Sequence, residues 1–159
     1  ALPSILLAML LATIWEPGVQ VLLWAIVVGN IPSFLRLTRN QVLSLKERPY
    51  IEAARALGAS QLRIIWRHIV PNLKDALLVQ ISVNLAGAIL VEASLSYLGI
   101  GIQPPDPSWG RMLREAQPYS SLAPWLVLAP GFFIAITVIG FNLLGDNWIF
   151  RREHLLKGE

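Results

Sequence analysis

Apolar residues gather into four blocks, Leu2–Ile14, Val19–Leu35, Ala76–Val91 and Trp125–Leu144, separated by polar connections of very different character. The last block has 20 residues and no charge, about 30 Å as a helix and enough to cross a hydrocarbon core. The first is too short to span and lacks the basic start of a secretory leader, so it is read as the end of a longer helix. The second carries Gly29, Asn30 and Pro32 near its end, which predicts a kink or an early exit. The third continues past Glu92 towards Ile102 and is expected to emerge tilted or to end in a gate-like loop. One such block fits a buried soluble core, but four in this length call for lipid. The pattern predicts an all-α, polytopic transmembrane helical bundle with about four membrane helices, a single domain over residues 1–159.

Composition agrees. The 159 residues are 14% charged, against about 25% in an ordinary soluble domain. There is no cysteine, which excludes disulfides, thiolate metal sites and a cysteine nucleophile. The net charge of +3 would suggest nucleic acid only on a soluble domain, and here the cations sit elsewhere. Arg36, Arg39, Lys46, Arg48, Arg55, Arg63, Arg67 and Lys74 lie between the second and third blocks, and Arg151, Arg152 and Lys157 follow the fourth. The 103–124 connection has only Arg111 and Arg114, and the Trp15–Gly18 turn has none. Positive charge marks the inner side, so the 38–75 loop and the tail are expected in the cytoplasm and the 103–124 loop outside. Trp15, Trp109, Trp125 and Trp148 stand near the proposed boundaries, as interfacial aromatics do.

The 38–75 loop is too patterned for a plain connector. Pro49 suits a first helical position, and Glu52 falls where a negative charge favours a helix start. Ile51, Ala54 and Leu57 form one apolar side, Gly58 stops the helix and Ser60 caps another. Leu62, Ile65, Trp66 and Ile69 are expected on one face, Arg63 and Arg67 on the other, and Pro71 at the end. Two short helices with a tight bend result. They fit either a basic surface helix lying on the inner leaflet or a docking lever whose alanines admit a partner's backbone.

Glu52-Ala53-Ala54, three residues, Gly58, twelve residues and Pro71 resemble the EAA loop of binding-protein-dependent ABC importer permeases. The general pattern of that family favours Ile and Leu three residues and one residue before the proline, where this chain has His68 and Val70. Arg67-His68-Ile69-Val70-Pro71-Asn72 is instead similar to the dipeptide, oligopeptide and nickel branch. So are Glu92-Ala93-Ser94-Leu95-Ser96-Tyr97-Leu98-Gly99, Gln103-Pro104-Pro105, Pro107-Ser108-Trp109-Gly110 and Phe141-Asn142-Leu143-Leu144-Gly145-Asp146. The likeness runs from Leu2 to Asp146, and the tail departs from it.

The resemblance implies a type I importer permease in the cell inner membrane, moving peptides, nickel or a related solute. Cytoplasmic ABC ATPase subunits, a second homologous permease subunit and an extracytoplasmic solute-binding protein would be its partners. Glu52, Ala53, Ala54 and Gly58 would carry the ATPase contact, with Arg55, Leu57, His68 and Pro71 in support, and closure of two ATPases would swing the membrane helices. No glycine is followed by Lys, Ser or Thr, so a phosphate-cradling loop is missing from the sequence and the energy must come from a partner. His68 and His154 fit no catalytic arrangement, so no enzyme activity, metal or cofactor is expected.

Asn84, Glu92 and Asn142 are polar residues in or beside apolar blocks, which makes them candidates for a translocation path. Hydrogen bonding between helices is the favoured account of the two asparagines. Glu92 lies roughly 24 Å up the helix from Asp75, where a carboxylate reaches headgroup water. Ala86-Gly87-Ala88 and Ala93-Ser94 are small enough for close helix crossing. The Gln103–Gly110 loop either faces a delivering protein or forms a rigid outer turn. A secondary transporter or channel is the alternative class, though it has no need of the 38–75 hairpin. A structural membrane subunit stands behind it, and co-purification with an ATPase and a solute-binding protein would separate it from a transporter.

Overall fold

The computed structural model describes residues 4–157. Leu2 lies outside them, as do the side chains of Trp148, Arg151, Arg152, His154 and Lys157. The regular elements among the described residues are all helical, without a strand: α1 (Ser4–Ile14), α2 (Val19–Lys46), α3 (Pro49–Ala56), α4 (Gln61–Ile64), α5 (Val70–Leu98), α6 (Trp109–Ala116) and α7 (Trp125–Lys157). Among the described residues three helical segments are long and apolar enough to cross a membrane, Val19–Lys46, Gln61–Leu98 and Trp125–Asn147. In their most apolar windows only 17%, 11% and 11% of residues are buried within the chain. The accessible surface is 11201 Å², against about 7,900 Å² for a soluble monomer of this mass. Large side chains such as Leu23, Trp24, Leu128, Phe132 and Ile139 therefore point outward, as expected where lipid or another helix is the solvent.

Two expected helix ends are corrected. α2 passes through Pro32 and continues to Lys46, so there is no early exit. Beyond Leu35 the sequence turns polar but stays helix-compatible, and the cations stand on exposed helix that outlasts the apolar block. Pro71 does not end a helix either: it sits in the first turn of α5, where its missing N–H costs little. Upstream of it, Ile65–Ile69 forms a π-helical turn that joins α4 to α5. A proline collides with the carbonyl four residues before it, and widening that turn relieves the conflict. Asn72 Nδ2 donates to the His68 carbonyl at 2.7 Å.

α2 and α5 are antiparallel and pinned at both ends. Near the start of α2 and the end of α5, Leu22, Ala25 and Leu95 form one core, joined by Met9, Leu11, Val91, Ile100 and Ile102. At the opposite ends, Leu45, Ile51, Ile64, Ile69 and Leu73 form the other. α7 packs along α5, and where Gly145 approaches Ser82 an added Cβ would lie 3.3 Å from the serine's Cβ. Of the small residues expected at helix crossings, Ala86 and Ala93 are buried, whereas Gly87 faces open space. The Glu16–Gly18 turn and Asp106 line one open cavity, so the two poorly charged connections share an end of the bundle. The basic hairpin occupies the other.

A braced hairpin and a fastened loop

α3 begins with Arg48 in extended conformation before Pro49 at the first helical position, the geometry a pre-proline residue prefers. Glu52 lies in the first turn and Arg55 in the last, each opposite in sign to its end of the helix dipole. The helix stops in a two-bond cap: Gly58 N–H donates to the Arg55 carbonyl and Ala59 N–H to the Ala54 carbonyl, both at 3.0 Å. This cap needs a left-handed residue, and Gly58 supplies it with φ +80°. A Cβ at Gly58 meets nothing within 4 Å, so the glycine is required by its dihedral angle and not by space. Ser60 Oγ then accepts from Arg63 N–H and starts α4.

The π turn reassigns the faces. In an α-helix, positions 64 and 69 lie about 140° apart, but a turn closed by i→i+5 bonds brings them together. Ile64 and Ile69 are accordingly buried with Leu73, while Leu62, Ile65 and Trp66 are exposed. Of the expected face of Leu62, Ile65, Trp66 and Ile69, the first three are alike exposed and Ile69 alone turns into the core. Likewise Ile51 is fully buried and Ala54 half-buried, but Leu57 stands 88% exposed just past the helix. His68 is half-buried with its ring centroid 6.0 Å from that of Tyr50, so it braces α3 against the π turn. Pro71 is exposed behind it. Glu52, Ala53, Arg55, Ala56, Leu57 and Gly58 remain free to meet a partner, as do Leu62 and Trp66, each 70% exposed.

The three intramembrane polar residues are not brought together. Asn84 borders an apolar groove of about 480 Å³ between the pinned ends of α2 and α5, opposite Asn30 and Phe34. Its Oδ1 accepts from Gln80 Nε2 at 3.0 Å, and its Nδ2 is buried without a partner. Asn142 is exposed on α7.

Glu92, about 12 Å further along α5 than Asn84, belongs to the far loop. Its Oε1 accepts from Ser96 Oγ and from Ser108 Oγ, each at 2.7 Å. The loop itself starts at Gly99, left-handed with φ +89° and closed by the same two-bond cap as Gly58. It returns at Gly110, where a Cβ would overlap the Ala93 carbonyl. Ser108 had no sequence signal beyond its place in the Pro107–Gly110 motif; a bond across sixteen residues is invisible to local pattern. Among the described residues no cluster of His, Cys, Asp or Glu could hold a metal ion.

Three lipid-length helices with outward apolar faces, joined by a braced hairpin at one end and a fastened loop at the other, define a multi-pass membrane protein. The chain belongs to the family of binding-protein-dependent transport system inner membrane components, whose match covers residues 1–152 and so reaches beyond Asp146 into the tail. It is 46% identical over 147 residues to the dipeptide transport system permease protein DppC of Alkalihalophilus pseudofirmus, covering 92% of this chain and 48% of the relative. A probable peptide ABC transporter permease protein, y4tQ of Sinorhizobium fredii, is 42% identical, covering 92% and 50% of the two chains. The glutathione transport system permease protein GsiD of Escherichia coli is 41% identical over 158 residues, 99% of this chain and 52% of the relative. The chain spans about half the length of these relatives.

Proposed function

We propose that the chain forms the coupling half of a permease subunit in an ATP-driven importer of short peptides or peptide-like solutes. Cytoplasmic ABC ATPase subunits grip the 47–71 hairpin, a second permease subunit completes the membrane pore, and a solute-binding protein delivers from the opposite side. The hairpin and the C-terminus face the cytoplasm, consistent with the cations on α2, α3 and α4. The substrate class follows the names of the relatives, which are dipeptide, peptide and glutathione permeases.

One observation carries the reading: a fully buried Ile51 anchors a helix whose other side, with the neighbouring Leu57, Leu62 and Trp66, is left uncovered. A lever must be stiff at its root and open at its contact, and this hairpin is both. A helix merely resting on lipid needs no two-bond cap and no core beneath it. The test is crosslinking from Ala53→Cys and Ala56→Cys in the full-length permease within intact membranes. Capture of a nucleotide-binding subunit supports the reading; capture of lipid alone, or labelling from the exterior, refutes it.

A further inference from the structure

We propose that Glu92 is a positioning residue: it fastens the outer loop to α5, so that the loop travels with the helix whose other end carries the hairpin. The proposal rests on the importer reading and extends it to the far side of the membrane. The two serines that donate to Glu92 are 1% and 6% exposed, so neither finds water if the carboxyl is removed. Each hydroxyl spends its proton on Glu92 and accepts from backbone: Ser96 Oγ from Ile102 N–H in the loop at 3.0 Å, Ser108 Oγ from Arg111 N–H at 3.3 Å as the N-cap of α6. Glu92 thereby sets the orientation of both hydroxyls, and through them the start and the return of the loop.

Backbone contact reinforces the arrangement at the same turns of α5. Gly101 lies against Ser96 and Gly110 against the Ala93 carbonyl, each too close to admit a Cβ. Gln103 Nε2 holds the carbonyls of Gly99 and Gly101 at 3.0 and 3.1 Å. The exposed tip, Pro104 to Pro107, is thus held to α5 on both sides, while Trp109 of α6 behind it also stacks on Phe133 of α7. From Gln61 to Leu98 the helical path is continuous for 38 residues, roughly 57 Å, so a displacement at the hairpin reaches the tip through one rod.

The test uses the full-length permease assembled with its ATPase, comparing Glu92→Ala, Glu92→Gln and Ser108→Ala. Hydrogen exchange of the 99–111 amides reads the fastening, and maleimide labelling of Asp106→Cys, with and without a non-hydrolysable ATP analogue, reads the transmitted motion. Glu92→Ala is expected to speed exchange by about tenfold and to abolish the nucleotide response, with Ser108→Ala intermediate. Glu92→Gln, whose amide oxygen still accepts both bonds, keeps both near wild type. Unchanged exchange in Glu92→Ala, a surviving nucleotide response despite faster exchange, or a Glu92→Gln as impaired as Glu92→Ala overturns the proposal. A wild-type protein whose labelling ignores nucleotide defeats the importer reading and the transmission together, while the exchange comparison separately decides the fastening.

Discussion

Replacing Gly58 isolates backbone conformation from packing. Its φ of +80° lies in the left-handed region, and the site around an added Cβ is empty. Alanine therefore meets no collision, only the conformational penalty, about 1–2 kcal/mol for an L-residue. That penalty acts on the cap, where Gly58 and Ala59 donate to the Arg55 and Ala54 carbonyls. An opening equilibrium shifted by this amount changes by a factor of about 5–30. Hydrogen exchange across residues 49–64 of the full-length protein reads that factor directly. Gly58→Ala should lose protection within this range and Gly58→Val should lose more, while Gly58→Asn, a residue that visits the left-handed region, should lose less than either. Equal losses for Asn and Val, or none for Ala, would refute the claim that the dihedral angle holds the bend.

Other substitutions separate the root of the hairpin from its contact surface. Ile51→Ala empties a fully buried position and should cost about 2–5 kcal/mol of local stability, seen as faster exchange throughout α3. Leu57→Ala and Trp66→Ala remove exposed side chains, so exchange and thermal stability should stay within about 0.5 kcal/mol of wild type while co-purification with the ATPase falls. Gly110→Ala forces a Cβ into the Ala93 carbonyl and should lower the melting temperature in detergent, whereas Gly87→Ala, facing open space, should not.

Local chemistry was readable from the sequence wherever one residue type settles one conformation. Gly58 and Ser60 fall where expected because a left-handed stop and an N-cap depend on near neighbours only. Helix lengths were less readable, since Val19–Leu35 marks where apolarity ends and α2 ends eleven residues later. A 3.6-residue period puts Ile69 on the face of Leu62, Ile65 and Trp66, but that period does not survive a π turn. Glu92 stood out as a charge beside an apolar block, but its partner Ser108 comes from beyond a loop, and only the fold unites them.

The π turn at Ile65–Ile69 also works as an angular index between the hairpin and α5. Deleting one residue of the turn and restoring regular winding would swivel the hairpin about the α5 axis by about 100°. Ile51 and Ile64 would part from Ile69 and Leu73, with which they share a core, and Leu57 and Trp66 would aim at a different quadrant. The direction in which the hairpin points is thus set by a single surplus residue in the winding.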